Sequence, residues 1–264
     1  KYFFSNMALI TFMSDYGLED HYVAAVKGTL LSLNHQLIII DISHEINLSD
    51  ISHGGYVLRN VFKKFPRGTV HLVAINSSRS LKNRWIGMTL EGHHFIGTDS
   101  GIFSIISNEN PTLVVEICPI TPENNCLKKV GQAVKDLATG GDLEHIGKII
   151  TDHLQLIDRT AKITKKGIVG HVIHIDHYGN LITNIQHKDY LEIQKINGNR
   201  PFQIQVGREI FDRLHKGYSE VEPGECYVFF NTQKVLQIGI NMGRASELLG
   251  IQMDATVYIN FNFQ

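Results

Sequence analysis

The sequence predicts an α/β amino-terminal domain built on a doubly wound, mostly parallel sheet, followed by an all-β, barrel-like carboxy-terminal domain. Three observations carry this. Apolar strand-like runs alternate with helix-spaced segments up to about Asp158. From Gly167 onward, short β-type runs recur between Gly, Pro and Asn signals. A chain of 264 residues, 43% of them hydrophobic, is long enough to form two cores. The domains are accordingly expected over residues 7–159 and 167–264, with the boundary in Thr160 to Lys166. Lys1 to Asn6 precede a start at Met7 and are read as an extension outside the fold.

In the first half, Ala8 to Met13 reads as a strand. Asp20 to Leu33 reads as a helix, because Tyr22, Val23, Val26, Leu30 and Leu33 fall at helical spacing. Leu37 to Ile42 is an unbroken apolar run, the pattern of a strand covered on both faces. Asp50 to Phe62 reads as a second helix capped by Asp50 or Ser49. Val70 to Ile75, Ile86 to Leu90, His94 to Ile96 and Leu113 to Ile117 follow as strands, and Val130 to Ala138 and Leu143 to Ile149 as helices. Such alternation places helices on both faces of the sheet, with ligands at the carboxyl ends of its strands. In the second half the strands are Gly167 to Ile175, Leu181 to Ile185, Phe202 to Val206, Cys226 to Asn231, Val235 to Ile240 and Thr256 to Asn260, a spacing that suggests a small antiparallel barrel or sandwich.

A formal net charge of -1 lacks the basic excess that a nucleic-acid surface needs, so the expected partner is a small molecule. No apolar run approaches the length of a membrane span, and no charged segment followed by an apolar one stands at the start, so no secretory signal is expected. Cys118, Cys126 and Cys226 are too scattered for a disulfide framework and read as free thiols of a cytoplasmic protein. Fourteen histidines are present without metal-ligand spacing. His93 and His94 would point to opposite faces of a strand, so no metal site is expected. There is no dinucleotide fingerprint, no phosphate-binding Gly-Lys loop and no nucleophile elbow.

Two polar interruptions remain. Ser14 to Asp20 follows the first strand, and Asp15 sits where a carboxylate could accept two hydrogen bonds from a vicinal diol such as a ribose. A helix cap is the plain alternative, which Asp20 serves better. Asp176 to Asn180 breaks a β-type run. Asp176 could be the counter-charge of a cationic ligand and Asn180 could read a purine edge, although Tyr178-Gly179-Asn180 is also how an ordinary hairpin turn is written. Two acidic loops on two domains suggest one ligand held by both.

Thr11 to Asp20 with Tyr22-Val23 and Lys27-Gly28 resembles the opening signature of the S-adenosylmethionine hydroxide adenosyltransferases, the family that includes the bacterial fluorinase and chlorinase. The resemblance continues through Asp41 to Ile46, Asp50-Ile51, Leu58-Arg59, Phe95 to Gly101, Ile175 to Ile185, Tyr218 to Gly224 and Asn241 to Ala245. It implies a homotrimer with each ligand between neighbouring subunits, and S-adenosylmethionine as substrate without a further cofactor. By this resemblance Asp15 would hold the ribose hydroxyls, Asp176 the methionine ammonium and Asn180 the adenine edge. Thr232 and Gln233 would meet the methionine carboxylate, and the backbone from Asn241 to Ala245 would border the adenine.

The implied reaction is attack at the ribose 5′ carbon, with water giving adenosine and methionine. The chain departs from the hydrolases' pattern, however. Their Val-Asp-Pro-Gly-Val-Gly motif is replaced by Val73-Ala74-Ile75-Asn76-Ser77-Ser78-Arg79, followed by Asn83-Arg84, and the His of a later Phe-His-Gly-Arg-Asp motif is missing around Pro122 to Cys126. Asn76 cannot take a proton as a carboxylate can. Three readings follow: a hydrolase in which Asn76 and Arg84 position the water; a chain that binds S-adenosylmethionine or adenosine without turnover; and last a halogenase, since the halogenating relatives carry an aromatic residue at the place of Asn76.

Overall fold

The computed structural model describes residues 8–76, 82–121, 126–157 and 159–261. The expected extension Lys1 to Asn6, Ser77 to Arg79 and Pro122 to Asn125 lie outside the described residues. The chain divides into two compact units, Lys1–Ile157 and Asp158–Gln264.

The first unit runs β1 (Ile10–Ser14), α1 (Tyr22–Leu33), β2 (Ile39–Ser43), α2 (Ile51–Val61), β3 (Val70–Ala74), β4 (Arg84–Leu90), β5 (His93–Thr98), β6 (Leu113–Pro119), α3 (Cys126–Ala138) and β7 (Lys148–Ile149). Its strands form one mixed sheet in the order β2-β1-β3-β5-β4-β6-β7. β2, β1, β3 and β5 are parallel neighbours, whereas β4 pairs antiparallel with both β5 and β6. A two-residue loop, Glu91-Gly92, makes the β4–β5 reversal. Both residues have positive φ (50° and 80°), as the tight hairpin turn matching strand twist requires.

Alternation along β1 sends Ile10 and Phe12 into a core with α1 and α3, and Met13 into a second core with Leu58 and Phe62 on the other face. Helices therefore cover both faces. α2 starts where the sequence places it, because the Asp50 side chain accepts a hydrogen bond from the His53 amide.

Two expectations are corrected. Leu37 to Ile42 is only partly covered: Leu37 and Ile39 pack into the core with α1 and α3 and Ile42 packs against the core on the other face, but β2 is the edge strand of the sheet and Ile38 and Ile40 remain 52% and 37% exposed. Leu143 to Ile149 is not an α-helix but a 3₁₀ turn, Leu143–His145, followed by β7. Gly147 explains the change, since any Cβ there would overlap the Glu116 carbonyl, and this close approach lets Lys148 pair with Glu116 on β6.

The second unit runs β8 (Lys162–Thr164), β9 (Gly167–Ile175), β10 (Leu181–Gln186), α4 (His187–Ile196), β11 (Gln203–Val206), β12 (Glu209–Phe211), β13 (Cys226–Phe230), β14 (Val235–Ile240), α5 (Ala245–Leu248) and β15 (Thr256–Asn260). The strands make an antiparallel, barrel-like sheet in the order β12-β11-β15-β9-β10-β14-β13, with β8 also on β9. Its core gathers Ile168, Val172, Leu181, Val228, Leu236, Ile238 and Val257. α4 has no counterpart in the sequence reading. Only Tyr190 and Ile193 of its ten residues are buried, too short a stripe to announce a helix. Among the described residues, no helix is long and apolar enough to cross a membrane.

Candidate functional site

In the first unit the candidate residues gather at the carboxyl ends of β1 and β3. Asp15 follows β1 directly, and its Oδ2 accepts the backbone amides of Ser49 (2.9 Å) and Asn76 (3.1 Å). The other carboxylate oxygen takes no hydrogen bond among the described residues and is available to a ligand hydroxyl. Gly17, at φ 68°, turns the chain away and donates its amide to the His44 carbonyl at 2.8 Å.

Beneath this loop, buried Ser14 Oγ hydrogen-bonds His44 Nδ1 at 2.7 Å. His44 Nε2 lies 3.1 Å from Asp41 Oδ1. Burial works against the Asp41 charge, but Lys27 at 2.6 Å and His44 outweigh it and hold the carboxyl below its usual range. The Asp15 loop thus stands on a side-chain network that ties β1 to β2.

Asn76 is left-handed, with φ 53°, and its buried Oδ1 has no hydrogen-bond partner among the described residues. A buried acceptor without a donor is costly.

Arg84 is engaged elsewhere. It donates from Nε to buried Asp99 (2.8 Å), from Nη1 to Glu116 (3.2 Å) and from Nη2 to Asp152 (2.9 Å). Although burial opposes its charge, Asp152 and Asp99 push its pKa up, and the guanidinium remains cationic. Asp99 also accepts the Leu154 amide at 2.8 Å. Arg84 therefore fastens β4 to β6 and to the segment around Asp152.

In the second unit, Asp176 and Asn180 close the turn between β9 and β10. Asp176 accepts the Asn180 backbone amide on Oδ1 and the Asn180 side-chain amide on Oδ2, both at 2.9 Å. Asn180 Oδ1 accepts the Tyr227 hydroxyl at 2.9 Å. The segment after β14 packs against this turn. Ser246 donates its amide to the Gly179 carbonyl (2.9 Å), Arg244 donates to the His177 carbonyl (2.7 Å), and a Cβ on Gly179 would lie 2.8 Å from Arg244 Cβ. Asn241 is fixed by donating to the Val221 carbonyl at 2.8 Å, and Ala245 is fully buried.

Asp176, Asn180, Asn241 and Ala245 are thus brought together, but Thr232 and Gln233 are not. β10 pairs with β14 so that Leu181 faces Ile238 and Gln186 faces Val235. The Asn231 to Lys234 turn therefore lies at the far end of β14 from Asn180, roughly 17 Å away along the strand. There Thr232 is exposed and hydrogen-bonds its neighbour Gln233.

Tyr227 escaped the sequence reading because an aromatic residue on a β-type run reads as core, and only its hydroxyl contact distinguishes it. Among the described residues, no group of three His, Cys, Asp or Glu side chains is placed to hold a metal ion.

Comparison with known proteins gives this geometry a context. The chain is similar to proteins named (R)-S-adenosyl-L-methionine hydrolase from Methanocaldococcus jannaschii, at 29% identity over 92% of each chain, and from Thermus thermophilus, at 23% identity over 93% of this chain and 97% of the relative. It is also similar to a fluorinase from Nocardia brasiliensis, at 27% identity over 69% of this chain and 72% of that enzyme. Among solved structures, an uncharacterized conserved protein from Thermotoga maritima superposes with a TM-score of 0.83 at 25% identity, covering 96% of this chain and all of that one. The SAM hydroxide adenosyltransferase N-terminal domain matches residues 10–146 and the corresponding C-terminal domain residues 170–258, so the chain belongs to the SAM hydroxide adenosyltransferase family.

Proposed function

We propose that this protein is an S-adenosyl-L-methionine hydrolase that forms adenosine and L-methionine. The observation that carries the reading is family membership through both domains, with relatives named as this hydrolase over more than nine-tenths of the chain. Water oxygen bonds to the ribose 5′ carbon as the carbon–sulfur bond breaks. The bonding pair goes to sulfur, neutral methionine leaves, and the proton of the attacking water passes to solvent. The sulfonium is its own leaving group, so the protein's task is to align water behind that carbon and exclude bulk solvent, without a cofactor.

In this reading Asp15 holds the ribose hydroxyls through its free oxygen, Asn180 meets the adenine edge beside the Asn241 to Ala245 segment, and Asp176 supplies negative charge. Asn76, whose backbone amide is held by Asp15, positions the water by hydrogen bonding. Arg84 supports the site from its ion pairs. Residues 7–159 and 167–264 act as the two domains of a cytoplasmic homotrimer in which neighbouring copies share each substrate. Large apolar side chains left exposed near both half-sites support such an assembly, namely Leu18, Leu48, Tyr178 and Met242 at 65%, 84%, 74% and 88%.

A second reading, binding without turnover, is favoured by Asn76 itself, which cannot serve as general base. Incubation with S-adenosylmethionine, followed by chromatography with and without chloride, separates them. Equal amounts of adenosine and methionine above the uncatalysed control are expected. Binding without product would establish the second reading, and a chlorinated nucleoside would overturn both.

A further inference from the structure

We propose that Tyr227 is a specificity-determining positioning residue. Its hydroxyl fixes the plane of the Asn180 amide, so that this amide accepts a 6-aminopurine and rejects a 6-oxopurine. The inference rests on the nucleoside-binding reading above and adds to it a residue and a discrimination.

An asparagine amide carries two donors and two acceptor lone pairs, and its last torsion is soft. Left to itself, it can offer donor and acceptor in either order. Here both ends are anchored. Asp176 accepts only, so its Oδ2 holds the amide nitrogen at 2.9 Å. The Tyr227 hydroxyl, at 2.9 Å, holds the amide oxygen. One N–H and one lone pair remain, the two functions that complement the donor and acceptor on the edge of an adenine. A 6-oxopurine presents the opposite polarity at position 6 and leaves a buried group unpaired.

The fold makes room for this arrangement. Tyr227 is 4% exposed on β13 and lies opposite Gly239 on β14. Any Cβ at Gly239 would overlap the Tyr227 ring and crowd Asn180 Oδ1. Burial also pushes the Tyr227 phenol above its usual pKa, which keeps the proton that the amide oxygen receives. A tyrosine serving only to fill the core would not need a glycine across the ladder to bring its hydroxyl to a half-site amide.

The test is Tyr227→Phe, with adenosine and inosine affinities measured by isothermal titration and folding checked by circular dichroism. Wild-type protein should prefer adenosine, and the variant should lose about tenfold of that preference with its ring packing retained. Equal weakening of both nucleosides at an unchanged ratio would mean a merely structural tyrosine and overturn the proposal, as would no change at all. Wild-type protein that binds neither nucleoside would remove the nucleoside reading, and the proposal with it. If the variant does not fold, a wild-type adenosine complex decides: Asn180 turned away from the base, or Tyr227 Oη beyond hydrogen-bond reach of Oδ1, overturns the assignment.

Discussion

The two candidate clusters are built in opposite ways. In the first unit, Asp15 is held by backbone amides 34 and 61 residues away, and its loop rests on a Ser14–His44 contact between adjacent strands. In the second, Asp176 and Asn180 lie four residues apart and hold each other, and the Tyr227 hydroxyl is the distant side-chain group that meets the Asn180 amide. A carboxylate fixed by distant backbone inherits the stability of the whole sheet, whereas one fixed within a turn depends mainly on that turn. Disturbance of the first unit should therefore spread from fold to site, while the second should lose its site before its fold.

The largest effect tests this spread. Arg84→Ala removes the guanidinium 2.8 Å from buried Asp99 and should destabilise the protein by about 3–5 kcal/mol. Thermal unfolding followed by fluorescence of Trp85, the only tryptophan, should show an early midpoint. A normal midpoint with lost turnover would instead return Arg84 to the chemistry. Next, Asp15→Ala should abolish nucleoside binding, a loss of about 100-fold or more if two hydrogen bonds to a charged group disappear, while the fold is retained. Unchanged affinity by titration would remove Asp15 from the site.

Gly239→Ala sharpens the other half. Forcing a methyl group against Tyr227 and Asn180 should cost about 1–3 kcal/mol, with adenosine affinity falling before global stability does. A variant with native affinity would show that the turn tolerates movement of its tyrosine.

The smallest effect per step of the experiment is a slope with pH. His71 is fully buried, hydrogen-bonded to Thr11 at 2.6 Å, and burial depresses its pKa to about 3. Above pH 6.5 the ring is neutral in both folded and unfolded chains and costs nothing. As pH falls from about 6.5 toward 3, the unfolded chain takes up a proton that the folded one refuses. Stability should then fall by at most about 1.4 kcal/mol per pH unit from this group. Urea midpoints against pH should lose this slope in His71→Gln, and an unchanged slope would assign it to other residues.

How much of this was legible follows the range of the interactions. The Asp50 cap and strands β9, β14 and β15 could be read directly, because each depends on neighbours in sequence or on a two-residue period. The edge position of β2 was not, since the run from Leu37 to Ile42 has the same composition whether one strand or two adjoin it. Nor was β7, which arises from Gly147 pressing against Glu116.

The same division runs through the sites. The sequence by itself determined the two-domain order, the family, the two polar interruptions and the loss of a carboxylate at Asn76, because these are properties of residue type and spacing. Tertiary structure decided that Arg84 is bound by three carboxylates, that Thr232 and Gln233 stand at the far end of β14 from Asn180, and that Tyr227 reaches the Asn180 amide. The physical reason is that hydrogen bonds and ion pairs act over about 3 Å, and only strand register and packing bring residues so far apart in the chain to that distance.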